Sequence, residues 1–444
     1  MNKEFHKKQN FFSFSDIDSE RKDRIMKFTS TEATPAPHFP PGVLRLTGAA
    51  KEDIPMYRIQ TMNKISPVGL NRFPSELYEV GDAVQDPQGI LVRSAKLLDL
   101  EFNPSLLAIA RAGVGVNNIP LDRCAAAGIP VFSTPGANAN AVKELVICAM
   151  LMGSRDIPGA IRWVREQAAS GVDVSTVVEK GKSAFIGPEL YKKTLGIIGL
   201  GAIGSIVANT AISLGMDVYG YDPFLSVDTA LRLDRHVHVV KDINDLYKRS
   251  DYITMHIHYT EKTAHMIDAD AIAAMKRGVR VINLARGEIV DDEAMLTALD
   301  TGMVAAYITD FPNNRLLTAP HVIAMPHLGA STPESEQNCA AMAVDTLRDY
   351  LESGNIRSSV NLPEMTMDRS GVQRLCVLHK NVPGMLANIT SLFGRDGVNV
   401  ENLSNKSRGD YAYTMVDLGS KVGDNVIEDV RRTANVIRVR SLEW

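Results

Sequence analysis

Residues 193–223 read KTLGIIGLGAIGSIVANTAISLGMDVYGYDP, and this stretch restricts the backbone more than any other in the chain. Leu195 to Ile198 is a short apolar run without alternation, as expected of a parallel strand covered on both faces. Gly199, Gly201 and Gly204 follow in the pattern G-x-G-x-x-G. The first permits a tight turn, the second lets the backbone approach a pyrophosphate, and the third lets the next helix pack close to the strand. Ala202 and Ile203 open that helix, whose free N–H groups hold phosphate. A second apolar run, DVYGYD, ends in Asp222, placed to accept hydrogen bonds from both ribose hydroxyls. An acid there repels a 2′-phosphate, so the pattern favours NAD over NADP.

Alternation continues downstream with strand-like DYITMHI (251–257), VRVINLA (279–285) and VAAYITD (304–310), separated by helix-like DADAIAAMKRG (268–278) and DDEAMLTALDTG (291–302). Repeated strand-helix units predict right-handed crossovers and a parallel, doubly wound α/β sheet. A chain of 444 residues exceeds one ordinary core, so two to four domains are expected. With 45% hydrophobic and 23% charged residues, a net charge of -4 and no long basic block, the composition argues for small-molecule chemistry and against nucleic acid. The longest apolar runs, such as LVICAMLM at 145–152, are too short to span a bilayer. Cys124, Cys148, Cys339 and Cys376 are isolated, without C-x-x-C or zinc-like spacing, which fits a reducing cytoplasm and predicts no metal site. Residues 1–52 read as a flexible extension, ending near the proline-rich TPAPHFPPG. Its acidic residues and lack of an apolar core segment argue against a secretory signal or transit peptide.

Ligands of doubly wound sheets sit at the carboxyl ends of strands, and INLARGEIVDD (282–292) places Arg286 at such an end. A guanidinium is always charged and pairs in a bidentate way with carboxylates. Arg286 therefore either holds an organic acid beside a nicotinamide or neutralises Glu288, Asp291 or Asp292. In AMPHLGAST (324–332), Pro326 and Gly329 bracket His327 in a loop. Oxidising an alcohol requires a base for the hydroxyl proton, and imidazole suits that task. His256 and His258 compete, but their place after a strand suits lining the cofactor cleft. Neither Arg286 nor His327 identifies a site alone.

GLGAIG, INLARGEIVD and PHLGAST in this order, with LVRSAKL (91–97) and ARAGVGVNNIPLDRCAAAGIPVFSTPGANANAVKELV (110–146) upstream, resemble the NAD-dependent D-isomer-specific 2-hydroxyacid dehydrogenases. The resemblance spans roughly residues 57–361. It implies two Rossmann-like domains, a substrate domain over 53–137 and 325–361 with an NAD-binding domain inserted over 138–324. It further implies that Arg286 binds the substrate's carboxylate and carbonyl oxygen and that His327 is the acid/base. Arg93, Ser94, Gly113, Val114, Gly115 and Asn138 would contact substrate, and His256, Ala285 and Asp310 would line the cofactor. One departure stands out. The family's usual glutamate partner for the histidine is missing from TDFPNNRLLTAPH, where Asn313 and Asn314 take its place. Asp310 either substitutes for it or faces the nicotinamide.

Beyond SGNIRSSVNLPEM, residues 370–444 follow the order strand, helix, strand, strand, helix, strand of a ferredoxin-like unit. With LHKNVPGML, this tail resembles an ACT domain, in which His379, Asn381 and Asn399 match positions that bind an effector amino acid across a domain pair. Joined to a hydroxyacid dehydrogenase, it implies 3-phospho-D-glycerate as substrate and L-serine as inhibitor. Three readings stay open: that enzyme, a dehydrogenase of another D-2-hydroxy acid, or an NAD-sensing regulatory protein with weak catalysis. A homodimer or homotetramer is expected, because NAVKELVICAMLMGSR is helix-like and unusually apolar for a surface segment and ACT units commonly pair.

Overall fold

The computed structural model describes residues 56–444, and the N-terminal extension expected over 1–52 lies outside the described residues. A first sheet comprises β1 (Tyr57–Thr61), β2 (Tyr78–Gly81), β3 (Gly89–Val92), β4 (Ala108–Arg111) and β5 (Val131–Phe132), in the order β2-β1-β3-β4-β5. All its pairings are parallel. The second sheet comprises β6 (Thr194–Ile198), β7 (Asp217–Tyr221), β8 (His238–Val240), β9 (Tyr252–Met255), β10 (Val279–Asn283), β11 (Val304–Thr309) and β12 (Val322–Ala324). It is also parallel, in the order β12-β11-β10-β9-β6-β7-β8. Strands buried on both faces explain the unalternating apolar runs: every residue of Gly89–Val92 and of Tyr252–Met255 is buried. Both orders reverse once, between β1 and β3 and between β6 and β9. There the flanking connections diverge and open a crevice beyond the carboxyl ends of the strands.

The helix Ala139–Arg155 carries the chain from the first sheet to the second. Val142, Val146, Ala149 and Met150 on it pack with Leu195, Ile197 and Ile308. Much of the apolar surface expected to seek a second copy is thus buried within its own chain, which removes that argument for oligomerisation. The helix predicted over 268–278 is shorter, Ala269–Ala273, and the chain turns through Gly278 at φ +81 before β10.

After β12 the chain returns in the long helix Pro333–Ser353. Its start is well specified: the Thr332 side chain accepts from Ser335 N, proline occupies the first turn, and Glu334 and Glu336 stand near the positive end of the helix. Ala340, Ala343, Val344 and Leu347 pack on Ile59, Leu91 and Ala110 of the first sheet. At about 1.5 Å per residue the helix is roughly 30 Å long, and its two ends serve different regions.

The third sheet comprises β13 (Gln373–Lys380), β14 (Val400–Arg408), β15 (Tyr411–Leu418) and β16 (Val436–Glu443), antiparallel in the order β14-β15-β13-β16. With the helices Met385–Arg395 and Asp424–Arg432 it forms the ferredoxin-like unit expected from sequence. Strand alternation divides its side chains. Leu375, Val377 and Val416 meet Ile389, Phe393 and Val430 of the helices, whereas Cys376, Leu378, Tyr413 and Met415 join the core of the first sheet. Polar groups close the seam. Arg440 donates to the carbonyls of Tyr350 and Leu351, Arg374 to that of Ser353, and the Tyr413 hydroxyl to that of Gly354. The last carbonyls of Pro333–Ser353, which a helix cannot satisfy itself, are therefore held by the third sheet. No helix among the described residues is long and apolar enough to cross a membrane.

Candidate active site

The glycine-rich turn has the geometry its spacing predicts. Gly199 adopts φ +90, and a Cβ there would lie 2.6 Å from the carbonyl oxygen of His256. A Cβ on Gly204 would lie 1.9 Å from the carbonyl oxygen of Gly199, whereas around Gly201 the space is open. Gly201 caps the helix Ala202–Ser213 without a side-chain hydrogen bond, so the N–H groups of Ala202 and Ile203 stay free for an anion. Asp222, just past β7, accepts from Leu200 N at 2.9 Å through Oδ2 and from Phe224 N at 2.8 Å through Oδ1. Each oxygen retains a lone pair, so the carboxylate can brace the turn and still accept from a ribose. An open glycine, a free helix start and a strand-end acid fit a dinucleotide.

His256 lies behind this turn with its ring on Thr254 Oγ1 at 3.2 Å; His258 is exposed. Burial pushes the His256 imidazole down to about 4, so the ring is neutral at physiological pH. An unfolded chain binds this proton below about 6.5, and stability must therefore fall as pH drops from about 6.5 to 4. Urea midpoints across that window should show a shallower fall for His256→Gln than for the unaltered protein; parallel curves would mean that the ring is solvated.

Three arginines stand at three strand mouths. Arg93 follows β3, Arg111 ends β4, and Arg286 lies beyond β10. Asn63 Oδ1 accepts from the backbone N–H groups of Arg93, Ser94 and Ala95 at 3.3, 3.0 and 2.8 Å, which fixes the loop carrying the first. Arg111 Nε donates to the Arg93 carbonyl at 2.9 Å. The loop Gly113–Gly115 threads between the other two: a Cβ on Gly113 would lie 2.5 Å from Arg111 Nη1, and one on Gly115 would lie 3.3 Å from Arg286 Nη2. Burial lowers the pKa of Arg111 from its ordinary value; Cys339, the next-largest influence, opposes this, and the positive charges of Arg93 and Arg286 reinforce it. Such clustering of cations is unfavourable unless anions offset it.

Phe311 joins the two residues on which the expected chemistry turns. Its ring centroid lies 5.7 Å from the Arg286 guanidinium carbon and 4.7 Å from the His327 ring. Cation and imidazole thus share one aromatic ring. Asp310, 1% exposed, lies against the His327 loop, where Oδ2 accepts from Gly329 N at 3.3 Å. Burial raises its pKa, while the charge of His327 and neighbouring N–H groups pull it back. Asn313 does not take the missing glutamate's role. Its amide nitrogen donates to Asp292 Oδ2 at 2.6 Å and its oxygen accepts from Arg315 N and Leu316 N.

Among the described residues, four buried side-chain oxygens lack a hydrogen-bond partner: Asn118 Oδ1, Thr134 Oγ1, Asn138 Oδ1 and Asp310 Oδ1. Buried polar atoms are rarely left unpaired, and these four belong to the loops that carry the site. Asn138 caps the helix Ala139–Arg155 without a side-chain hydrogen bond. Two residues earlier, a Cβ on Gly136 would lie 3.2 Å from Ala202 Cβ, so the crossing loop touches the helix start beside the glycine turn. Ala285 is buried, and its carbonyl accepts from Arg286 Nη1 at 2.6 Å. Arg93, Gly113, Gly115, Arg286 and His327 are therefore linked through Arg111 and Phe311 by successive contacts, and Asn138 follows the Gly136 loop that meets the dinucleotide turn. Ser94 is exposed beside Arg93, and Val114 lies between the two glycines, partly buried.

The effector candidates are not brought together within one chain. His379 is buried, with Nδ1 on the Lys380 carbonyl and Nε2 on Thr414 Oγ1, both at 2.8 Å. Neither nitrogen is left for a ligand, which corrects the expectation that it binds one. Asn381 donates to the Gly409 carbonyl at one end of the third sheet, whereas the carbonyl of Asn399 accepts from Gly419 N at the other.

Sequence reasoning missed Arg111, Asn63, Phe311 and Glu336, whose carboxylate meets Arg93. For Arg111 the signal was present, since AIAR repeats the apolar-run-then-arginine pattern of ILVR and NLAR. The others depend on contacts between distant segments.

A family model described as D-isomer specific 2-hydroxyacid dehydrogenase, NAD binding domain, matches residues 147–329. The D-3-phosphoglycerate dehydrogenase of Haemophilus influenzae is 31% identical over 379 residues, which cover 82% of this chain and 88% of the relative. Its counterpart from Synechocystis is 36% identical over 326 residues, 71% of this chain and 56% of the relative. Those from Methanocaldococcus jannaschii and Bacillus subtilis are covered over 55% and 60% of their length, so the chain spans little more than half of these three relatives. Among solved structures, NAD+-bound 3-phosphoglycerate dehydrogenase from Entamoeba histolytica is 26% identical, with a TM-score of 0.53 over 69% of this chain and 99% of that one. The holo D-mandelate dehydrogenase of Rhodotorula graminis, 21% identical with a TM-score of 0.59 over 71% of this chain and 100% of that one, shares the fold. Matching relatives, a dinucleotide turn and an arginine and a histidine beside one aromatic ring lead to the same conclusion: the chain belongs to the D-3-phosphoglycerate dehydrogenase group of the D-isomer-specific 2-hydroxyacid dehydrogenase family.

Proposed function

We propose that the chain oxidises 3-phospho-D-glycerate to 3-phosphooxypyruvate with NAD as acceptor. The convergence of Arg286, Arg111 and Arg93 on a cleft with His327 carries this reading, because it supplies cations for two anionic groups and a base for the hydroxyl between them. Gly201, Ala202, Ile203 and Asp222 would hold the dinucleotide, whose nicotinamide supplies the hydride acceptor when bound. Arg286 pairs with the substrate carboxylate and polarises the developing carbonyl oxygen. His327 takes the hydroxyl proton at a ring nitrogen. Asp310, with its unpaired Oδ1, stabilises the resulting imidazolium in place of the absent glutamate. Asn138 Oδ1 and Thr134 Oγ1 offer further hydrogen bonds to the bound acid. These residues divide between the expected substrate domain over 53–137 and 325–361 and the NAD-binding domain expected over 138–324.

The C-terminal unit is read as an ACT module that binds L-serine and slows the enzyme. Its strand order supports this, and the separation of Asn381 from Asn399 requires that two copies supply one site. A homodimer or homotetramer is further supported by the helices Ile157–Ala169 and Val174–Gly181, which bury none of their residues and expose Ile157, Ile161, Val164 and Val178. Free cysteines throughout the described residues suit a cytoplasmic setting.

A dehydrogenase of another D-2-hydroxy acid is the second reading, favoured by the carboxylate of Glu336 on Arg93. NADH absorbance with 3-phosphoglycerate and a panel of unphosphorylated 2-hydroxy acids decides between them. The main reading expects the highest kcat/KM for 3-phosphoglycerate and a lower rate with L-serine present. A preference for an unphosphorylated acid supports the second reading, and no turnover with any acid despite NAD binding points to a sensor.

A further inference from the structure

Glu336 stands in the first turn of the helix Pro333–Ser353, and its Oε1 lies 2.7 Å from Arg93 Nη2. The pair is lopsided in its needs. A carboxylate in a first helical turn is already favoured by the helix N-terminus, whereas Arg93 shares its surroundings with Arg111 and, through it, with Arg286. Of these three cations, Arg93 is the one that has a carboxylate partner among the described residues. The pair is also 40% and 45% exposed, which places it among weak, exchangeable ion pairs.

We propose that Glu336 is a specificity-determining residue: an internal carboxylate that occupies Arg93 and yields it to a substrate bearing a second anionic group. The proposal rests on the reading of Arg286 and His327 as a hydroxy-acid site. A monocarboxylate engages Arg286 and has nothing left to offer Arg93, so Glu336 stays in place. A phosphate ester brings a charge approaching -2 and three strong acceptor oxygens, which displace one carboxylate oxygen. Once released, Glu336 keeps the favourable field of its helix start. Its cost falls on the phosphorylated substrate alone, as competition for one guanidinium.

Glu336→Gln removes the competing charge and keeps the shape. The ratio of kcat/KM for 3-phosphoglycerate to that for D-glycerate is expected to rise about two- to five-fold, the range set by an exposed pair. Inhibition by inorganic phosphate, competitive with substrate, should tighten by a similar factor. A ratio that falls or stays the same, with phosphate inhibition no tighter, overturns the proposal and assigns Glu336 to positioning Arg93 or to the surface. The unaltered enzyme separates the two levels of inference: if it turns over neither acid, the hydroxy-acid reading fails and the proposal with it. If it turns over either and the variant shows no gain, the proposal alone fails.

Discussion

Replacing His327 by alanine is expected to lower kcat/KM for the hydroxy acid by about 10²- to 10⁴-fold, the usual contribution of a general acid/base, and to leave the dissociation constant for NAD near that of the unaltered enzyme. The separation follows from the geometry. His327 sits on Phe311 in the loop after β12, and the dinucleotide turn is built from β6, Gly199–Gly204 and the end of β7. Neither the strand nor the glycine turn depends on the imidazole. Steady-state kinetics with NADH absorbance, beside NAD titration by intrinsic fluorescence, check both halves. Unchanged turnover would remove His327 from the mechanism, and loss of NAD affinity in parallel would make it a structural residue.

The second large effect is on stability. Arg374 and Asp417 are fully buried and joined by two hydrogen bonds, Nε to Oδ1 at 2.6 Å and Nη2 to Oδ2 at 2.7 Å. Arg374 also donates to the carbonyls of Ser353, Met367 and Asp368. Arg374→Met keeps much of the side-chain volume but leaves a carboxylate uncompensated in the interior and three carbonyls short of a donor. Breaking a buried pair in this way costs about 3–5 kcal/mol. A clear fall in thermal midpoint, with early proteolysis of the segment after Ser353, is the expected outcome. A midpoint close to that of the unaltered protein would show that the third sheet does not need this latch.

Much of the fold was readable because it rests on local constraints. The glycine spacing of 199–204 reports on backbone approach, and the unalternating runs before Gly199, Arg93 and Arg286 report on strands covered on both faces. Arg286 and His327 were found as strand-end and loop residues of suitable chemistry. What escaped depends on which distant segments meet. No pattern near Phe311 announces that it touches both Arg286 and His327, and nothing near Arg374 reveals its place at the end of a helix that finishes at Ser353. The same gap produced the errors. The apolar segment 140–155 was read as surface because its partners, Leu195, Ile197 and Ile308, lie far along the chain. His379 was assigned to a ligand because Thr414, which accepts or donates at its Nε2, lies 35 residues away. Asp310 shows the limit most clearly: one residue of register separates facing the cofactor from bracing the His327 loop, and its contact with Gly329 in that loop joins segments 19 residues apart.

The central claim is that Arg286 and His327 act on the same bound hydroxy acid, and a double-mutant cycle tests it most directly. Single-turnover NADH formation would be measured for Arg286→Gln, His327→Ala and the variant carrying both. Groups acting as one unit give strongly non-additive losses, so the double variant should be little slower than the slower single one. If the two losses instead multiply in full, the guanidinium and the imidazole serve separate steps and the proposed site is wrong.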